Sequence, residues 1–197
     1  TGGVCNVQKV YDQTGNGNHF TQNTAANQPV LTFSGAATLP GMAFTSGTSK
    51  FIATATLTQS QPFSFSSVYV RTTSGSAGGV IGSDPGTTVC SGSNTANNAY
   101  MTAGTAQNAS ATDNTYHALN VLLNSTSSAI NVDGSDTSGV NAGTNAFSGN
   151  AVRIGRCNGA TIGGVIMEAG FLPSSTTSTQ RGNMNTNQHS SSSGYNF

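Results

Sequence analysis

Charged side chains are scarce in this chain of 197 residues: six are basic, six are acidic, and together they make up 6% of the sequence. An average soluble protein has roughly 25% charged residues, so serine, threonine, asparagine and glycine must hydrate this surface instead. The formal net charge is zero. Because proteins that bind nucleic acid or anionic membranes display a basic patch, we expect neither of them as a partner.

Tryptophan and long apolar runs are absent as well. Without tryptophan, the commonest platform for stacking against sugar rings is missing, and the five tyrosines remain as candidates. The longest apolar cluster, 118–123, is far too short to cross a bilayer. We therefore expect no membrane insertion, and a composition of this kind is common on exported, cell-surface and virion-surface β proteins.

The start of the chain lacks an initiator methionine and any basic segment followed by an apolar one. We therefore expect a processed or truncated end, so that the domain lacks its native N-terminus. The length fits one large domain. We predict a single domain at 1–189, followed by a tail at 190–197.

Cysteine is limited to Cys5, Cys90 and Cys157, so at least one thiol is unpaired within the chain. Their spacing does not fit a zinc cluster of the CxxC kind. Two interpretations stay open. An exported protein would have one disulfide, for which we choose Cys90 with Cys157, whereas a protein in a reducing compartment would bury three free thiols.

The segment 11–22, YDQTGNGNHFTQ, is where polar residue types recur at a regular spacing. Asp12, Asn16 and Asn18 have short side chains that bond to nearby amides, and the glycines between them can take positive φ. The segment therefore predicts a tight, internally bonded loop. Asp12, Thr14 and Asn16 also follow the spacing of the first ligands in an EF-hand calcium loop, but asparagine stands where that loop has its bidentate glutamate. The alternatives are a structural turn and a calcium site, and we expect no other cofactor.

Short apolar runs separated by glycine-rich turns fill the rest of the chain. Phenylalanine alternates with serine at the start of 63–70, which predicts a central strand buried on one face. Residues 117–124 and 129–134 predict a β-hairpin with a four-residue turn. The polar segment 91–111 predicts only one strand.

The C-terminal part of the domain predicts the sole helix. We expect this helix at residues 179–188. Ser174 and Ser175 precede it, and serine is favoured at the N-cap position. Many short strands can each bury one face only if sheet stacks on sheet. We therefore predict an all-β jelly-roll sandwich of two antiparallel sheets with one short C-terminal helix.

The loop YDQTGNGNHFTQ, followed by Gln28 and Pro29, resembles the opening of the concanavalin-like jelly roll in arabinofuranosidase B-type catalytic domains. Cys5 resembles a cysteine that precedes the same tyrosine in those enzymes. The loop is also similar to one in laminin-G-like jelly rolls, many of them in bacteriophage and bacterial surface proteins. The hairpin and the strand predicted at 163–171 resemble the corresponding strands of those domains. The resemblance implies a concanavalin-like or laminin-G-like fold.

Catalysis by a glycosidase needs two carboxyl groups about 5 to 10 Å apart across the scissile bond. Each of the six acidic residues has a structural explanation in a turn, a polar loop or a strand. Glu168 stands where related non-enzymatic jelly rolls also have a glutamate. We therefore predict no catalytic residues, and Glu168 with Asp133 is the pair that comes nearest to that role.

The resemblance implies two classes of function. The first is a non-catalytic extracellular or virion-surface structural module of the capsid-decoration, fibre or adhesin type, which contacts other copies of itself or neighbouring surface or capsid proteins and binds glycans. The alternative is a glycoside hydrolase related to α-L-arabinofuranosidase B. For a glycan, the candidate ligand-binding residues are those of the loop: Tyr11, Asp12, Asn16, Asn18 and His19.

Overall fold

A computed structural model describes residues 4–34, 39–84, 89–96 and 98–189 of the chain. The tail predicted at 190–197 lies outside the described residues. The elements in chain order are β1 (Lys9–Val10), β2 (Phe20–Thr21), β3 (Val30–Ser34), β4 (Leu39–Phe44), β5 (Ile52–Gln59), β6 (Phe63–Arg71), β7 (Gly78–Ser83), β8 (Cys90–Ser93), β9 (Asn98–Thr102), β10 (Ala106–Ser110), β11 (Tyr116–Leu123), β12 (Ser128–Val132), β13 (Ser135–Val140), β14 (Phe147–Ile154), β15 (Arg156–Cys157), β16 (Ala160–Thr161), β17 (Gly164–Leu172) and α1 (Ser178–His189). Short 3-10 turns lie at Ala25–Asn27 and Ser125–Ser127.

The strands form two stacked antiparallel sheets, which confirms the predicted all-β sandwich with one short C-terminal helix. The ten-stranded sheet has the order β1-β2-β5-β14-β7-β8-β9-β10, with β15 and β16 attached beside β7. The seven-stranded sheet has the order β13-β12-β11-β6-β17-β4-β3. One residue pair, between β16 and β7, is parallel. The predicted hairpin is present as β11 and β12, and β6 lies centrally between β11 and β17.

Four phenylalanine rings join the two sheets in the core. Phe63 and Phe65 come from β6, Phe171 comes from β17, and Phe147 comes from β14 of the opposite sheet. Their ring centroids lie 5.4 to 6.2 Å apart in tilted or edge-to-face arrangements. Aromatic rings favour these geometries over face-to-face stacking, so the cluster fixes how β17 sits against β14.

Two strand predictions were wrong. The prediction for β6 was burial on one face, but all nine of its residues are buried. Polar groups cover its outer face. Ser64 Oγ there lies 3.0 Å from Thr176 Oγ1. The segment 91–111 forms β8, β9 and β10, and not one strand, because backbone ladders and a few buried side chains such as Met101 suffice to hold a polar strand.

Helix α1 docks on the outer face of the seven-stranded sheet through polar contacts. Asn120, Gln188 and Ser66 bond one another in a closed triangle with distances of 2.7 to 3.0 Å. Arg181 donates two hydrogen bonds to Asp136, at 2.7 and 2.9 Å. Buried groups of this kind are stable only when fully satisfied, so these bonds hold the helix in place.

The N-cap of α1 differs from the predicted one. Gln180 donates its amide hydrogen to Thr177 Oγ1 at 3.2 Å, and Thr177 donates its own to Gln180 Oε1 at 2.8 Å. This reciprocal pair is a capping box, so Thr177 caps the helix and the predicted serines do not. No helix among the described residues has the length and apolar content of a transmembrane segment.

The structure joins Cys90 and Cys157 in a disulfide, with their Cα atoms 6.0 Å apart. Both residues are fully buried, and they link β8 to β15. Cys5 is exposed and outside this bond. The disulfide joins two residues of the ten-stranded sheet that are 67 positions apart in the sequence.

Candidate functional site

The loop between β1 and β2 is held together by the carboxylate of Asp12. Its Oδ1 accepts hydrogen bonds from the amide and hydroxyl of Thr14, at 2.8 and 2.7 Å, and its Oδ2 accepts one from the amide of Asn18, at 3.0 Å. The bonds from Thr14, with the weaker one from Asn18, hold the pKa of Asp12 below its ordinary value of 3.8. Gly15 and Gly17 have φ of 82° and 76°, which lets the chain close on itself.

Tyr11 stands at the start of this loop with 61% of its surface exposed. Its ring meets the ring of His19 edge to face, with centroids 5.1 Å apart, and Lys9 Nζ lies 4.5 Å from its centroid. His19 Nδ1 accepts a hydrogen bond from the amide of Asp12 at 3.1 Å. The exposed ring is therefore oriented by its neighbours.

A cleft of about 590 Å³ opens beside this loop, between the two sheets. β4 pairs with β17 only from Gly164 to Ile166. Beyond that point β17 has a bulge at Met167, and Pro40 has no amide hydrogen to continue the ladder. The edge of β17 therefore faces the cleft, and we call this space the loop cleft.

The loop cleft has an apolar floor and a rim of amide and hydroxyl side chains, with Asp12 as the charged residue on the loop side. Its buried and half-buried apolar residues come from β1, β2, β5, β14 and β17 and include Val10, Phe20, Leu57, Val152, Ile154, Ala169 and Phe171. Its amide and hydroxyl side chains, which are exposed or half-buried, are Gln13, Thr14, Asn16, Asn18, Thr54, Thr58 and Gln59. A concave site with an apolar lining and a few polar groups that fix orientation is typical of small-ligand binding.

The structure brings four of the five candidate loop residues to one site. Tyr11, Asp12, Asn16 and Asn18 all line the loop cleft. His19 does not line it, but supports Tyr11 and Asp12 through the contacts given above. The sequence offered no signal for the residues of the floor, because β5, β14 and β17 are remote from the loop along the chain.

The calcium candidate has its ligands already engaged. Asp12 uses both carboxylate oxygens for amides of the loop, and Thr14 Oγ1 accepts a hydrogen bond from Asn16 Nδ2 at 2.9 Å. Within residues 4–34, 39–84, 89–96 and 98–189, no group of three His, Cys, Asp or Glu side chains is placed to hold a metal ion. These contacts favour a structural turn.

Glu168 and Asp133 are not brought together. Glu168 pairs with Val68, Val68 pairs with Ala118, and the amide of Asp133 donates to the carbonyl of Ala118. Three strand spacings therefore separate the two backbones, which amounts to about 14 Å. Their carboxylates also have different partners, Gln188 for Glu168 and His117 for Asp133.

The carboxylate of Glu168 lies on the outer face of its sheet, although the residue borders the loop cleft. It shares that face with Val68, and Gln188 of α1 donates a hydrogen bond to it. Burial raises its pKa above the ordinary value of 4.5, and the bond from Gln188 only partly offsets this effect. Of the acidic residues that line the cleft, Asp12 is thus the one that presents its carboxylate on the loop side.

The carboxylate of Asp133 contacts the side chain of His117, toward the other edge of the seven-stranded sheet. His117 Nδ1 lies 2.5 Å from Asp133 Oδ2, and the amide of Ala118 donates to Asp133 Oδ1 at 2.9 Å. Burial opposes the charged imidazolium, but its hydrogen bonds to Asp133 and to the carbonyl of Thr112 outweigh burial and raise the pKa of His117. Burial likewise opposes ionisation of Asp133, yet the bonds from His117 and Ala118 lower its pKa. The hydrogen bonds of His117 and Asp133 are those of a structural contact.

Comparisons with known proteins support the fold. No family model matches the chain, and no curated protein sequence matches it. Domain 4 of AbnA, an extracellular GH43 arabinanase from Geobacillus stearothermophilus solved with arabinotriose, aligns with a TM-score of 0.65 and 11% identity over 92% of this chain and 98% of that domain. A mutant GH54 α-L-arabinofuranosidase soaked with 4-nitrophenyl α-L-arabinofuranoside aligns with a TM-score of 0.68 and 15% identity over 93% of this chain and 50% of that one.

A third structure, Trypanosoma rangeli sialidase with the inhibitor DANA, has a TM-score of 0.56 and 12% identity, over 74% of this chain and 27% of the sialidase. The chain thus spans about a quarter of the sialidase and half of the arabinofuranosidase. Identities this low show a shared β-sandwich fold alone, and the narrower laminin-G-like assignment stays a prediction.

Proposed function

We propose that the chain is a non-catalytic carbohydrate-binding module that holds a glycan in the loop cleft. The observation that carries this proposal is the exposed ring of Tyr11 at the rim of an apolar cleft with amide and hydroxyl groups around it. Sugar rings have apolar C–H faces that stack on aromatic rings and hydroxyl groups that bond to amides and hydroxyls. The cleft offers both kinds of contact.

The similar structures add support from outside the chain. Domain 4 of AbnA, which matches this chain over nearly its whole length, was solved with arabinotriose. A fold can serve many functions, so this likeness counts as analogy. It nevertheless makes arabinose-containing oligosaccharides the first ligands to test.

Export is part of the proposal. A buried disulfide between Cys90 and Cys157 fits an oxidising compartment. A neutral surface rich in serine, threonine and asparagine also suits close packing on a cell or virion surface, with other copies or neighbouring capsid or surface proteins as partners. Stoichiometric presence of the chain in a purified particle or on isolated cells would support that placement, and its absence from any such assembly would count against it.

Glycoside hydrolysis is the second candidate, favoured by the match to the GH54 arabinofuranosidase. Two observations weigh against it. The loop cleft is faced by the carboxylate of Asp12, which the loop amides hold ionised, while the carboxylate of Glu168 turns to the opposite face. A general acid needs a raised pKa within reach of the bond.

The test is a glycan array and an arabinoside-hydrolysis screen on the same purified chain. Binding without turnover is the expected result. Turnover of an arabinoside would replace the module by the hydrolase, and silence on the array would remove the carbohydrate-binding proposal.

A further inference from the structure

Every lysine and arginine of the chain lies among the described residues, and each has a partner within the fold. The partners are the ring of Tyr11 for Lys9, the carbonyl of Gln28 for Lys50, Asp113 for Arg71, Asp84 for Arg153 and Arg156, and Asp136 for Arg181. Two of the three histidines contact Asp133, and the third accepts the amide of Asp12. An anionic ligand would therefore compete with contacts that already stabilise the sandwich.

Among the described residues that line the loop cleft, none is a lysine, arginine or histidine. Among these lining residues, the carboxylate on the loop side is that of Asp12, which is ionised at neutral pH, and the hydrogen bonds from Thr14 and Asn18 lower its pKa further below 3.8. Lys9 lies over the Tyr11 ring and does not line the cleft. Among the side chains that line the loop side of the cleft, the charged one is therefore negative.

An acidic sugar would lose water on entering this cleft and would gain no cation from the residues that line it. Desolvation of an unpaired carboxylate is costly, and the nearby like charge of Asp12 adds repulsion. Uncharged sugars avoid both costs, since their hydroxyl groups bond to the rim amides and their C–H faces pack on Tyr11 and the apolar floor.

Resting on the proposed function, we propose that the loop cleft selects uncharged glycans and rejects glycans that bear a carboxylate, sulfate or phosphate group, with Asp12 as the excluding charge. The selectivity arises because Asp12 repels an anionic ligand and because the residues that line the cleft supply no cation to pair with it. The ligand class is thus neutral oligosaccharides, to the exclusion of sialylated and uronate-rich chains.

Matched pairs of oligosaccharides test the proposal on the purified chain. Each pair consists of a neutral oligosaccharide that binds on the array and the same oligosaccharide with one added uronate or sialic acid, both titrated by calorimetry at 50 mM salt. We expect the acidic member to bind at least about tenfold more weakly. Lys50→Gln should leave the ratio of the two affinities unchanged, because Lys50 bonds the carbonyl of Gln28 and does not line the cleft.

Gln13→Lys supplies the missing cation. Gln13 is exposed, lines the cleft and donates to the carbonyl of Tyr11 at 2.9 Å, a bond that a lysine ammonium can also make. This variant should improve the affinity for the acidic member relative to the neutral one by roughly threefold to tenfold, with a smaller gain at 0.5 M salt. Thr179→Lys, at an exposed position of α1, adds the same charge away from the cleft and should give no gain.

The outcomes separate the two proposals. If no glycan binds, the proposed function fails and this inference fails with it. If acidic and neutral members bind equally to the unchanged chain, the carbohydrate-binding function stands and the selectivity is wrong. An equal gain from Thr179→Lys would assign the effect to bulk charge and would also overturn the role of the cleft.

Discussion

The side chain of Tyr11 is clamped by that of His19: the two rings meet edge to face with centroids 5.1 Å apart. His19 is fixed in turn, because its Nδ1 accepts the amide hydrogen of Asp12. An exposed aromatic ring that is oriented before a ligand arrives loses less conformational entropy on binding. This relationship makes Tyr11 the residue on which the proposed glycan site most depends.

Tyr11→Ala should weaken glycan binding by about tenfold or more, because it removes the stacking surface at the cleft rim. Tyr11→Phe should keep most of the affinity, since it retains the ring. Isothermal titration with the best ligand from the array measures both variants.

Phe33→Ala is the matched control for that experiment. Phe33 on β3 is 65% exposed, close to the 61% of Tyr11, but it does not line the loop cleft. Its loss should leave binding unchanged. Equal losses from Tyr11→Ala and Phe33→Ala would show that Tyr11 is not the platform.

Calcium should have no effect on the stability of the loop or of the domain. The oxygens of Asp12 that would bind the ion already accept hydrogen bonds from Thr14 and Asn18. Thermal melts in 5 mM calcium and in chelator should therefore coincide within about 1 °C, since a ligand that binds the folded state raises its stability. A calcium-dependent rise that Asp12→Ala abolishes would establish the metal site instead.

The pair of His117 and Asp133 should make stability depend on pH in a defined direction. The pKa of His117 is raised in the folded chain, so its contribution is complete below about pH 6.5 and is lost as the pH rises through the folded value. The pKa of Asp133 is lowered, so its contribution is lost as the pH falls below about 3.8. The stabilisation should therefore be greatest between these limits.

Asp133→Asn tests this pair by chemical unfolding at several pH values. At pH 5.5 it should cost about 1 to 3 kcal/mol, and the difference from the unchanged chain should shrink above neutral pH. Asp136→Asn is the control, because its partner Arg181 stays charged and the loss should not vary between pH 6 and 8. A constant loss for Asp133→Asn over this range would contradict the assigned pair.

Glu168→Gln should leave the domain as stable as before, or raise its melting temperature by about 2 to 4 °C at pH 7. Burial raises the pKa of Glu168, so the folded chain binds this proton more tightly and loses stability as the pH rises from about 4.5. Glutamine removes that dependence and keeps a polar group beside Gln188. Thermal melts of the unchanged chain and of the variant at pH 4 and pH 7 measure this difference in pH dependence.

The contradicting outcome for Glu168 is enzymatic. If the unchanged chain hydrolyses an arabinoside and folded Glu168→Gln does not, Glu168 is a catalytic residue and the module assignment is wrong. A destabilised variant at pH 7 would contradict the pKa argument alone.

Much of the sandwich could be predicted from local sequence. The period-two pattern at Phe63 and Phe65 and the turn between β11 and β12 identify strands directly. The strands between residues 90 and 110 could not be found this way, because their small and polar residues differ little from those of loops. The polar docking of α1 was equally hidden, since Asn120 and Gln188 meet only after the fold forms.

For the candidate site, the sequence indicated the loop and not the cleft. The spacing of Asp12, Asn16 and Asn18 predicts a bonded turn from neighbours along the chain. The cleft depends on where β4 stops pairing with β17, at Ile166, and no short motif encodes that position. Phe171 therefore enters the site through tertiary packing.

The most direct measurement is a titration of the isotopically labelled chain with a bound neutral oligosaccharide, followed by backbone amide chemical shifts. We expect the largest shifts at residues 11–18, at Leu57 and at Phe171, all around the loop cleft. Shifts centred on a second groove, which is lined by Asn98, Asn108 and Thr137, or no shifts at all, would contradict binding of the glycan in the loop cleft.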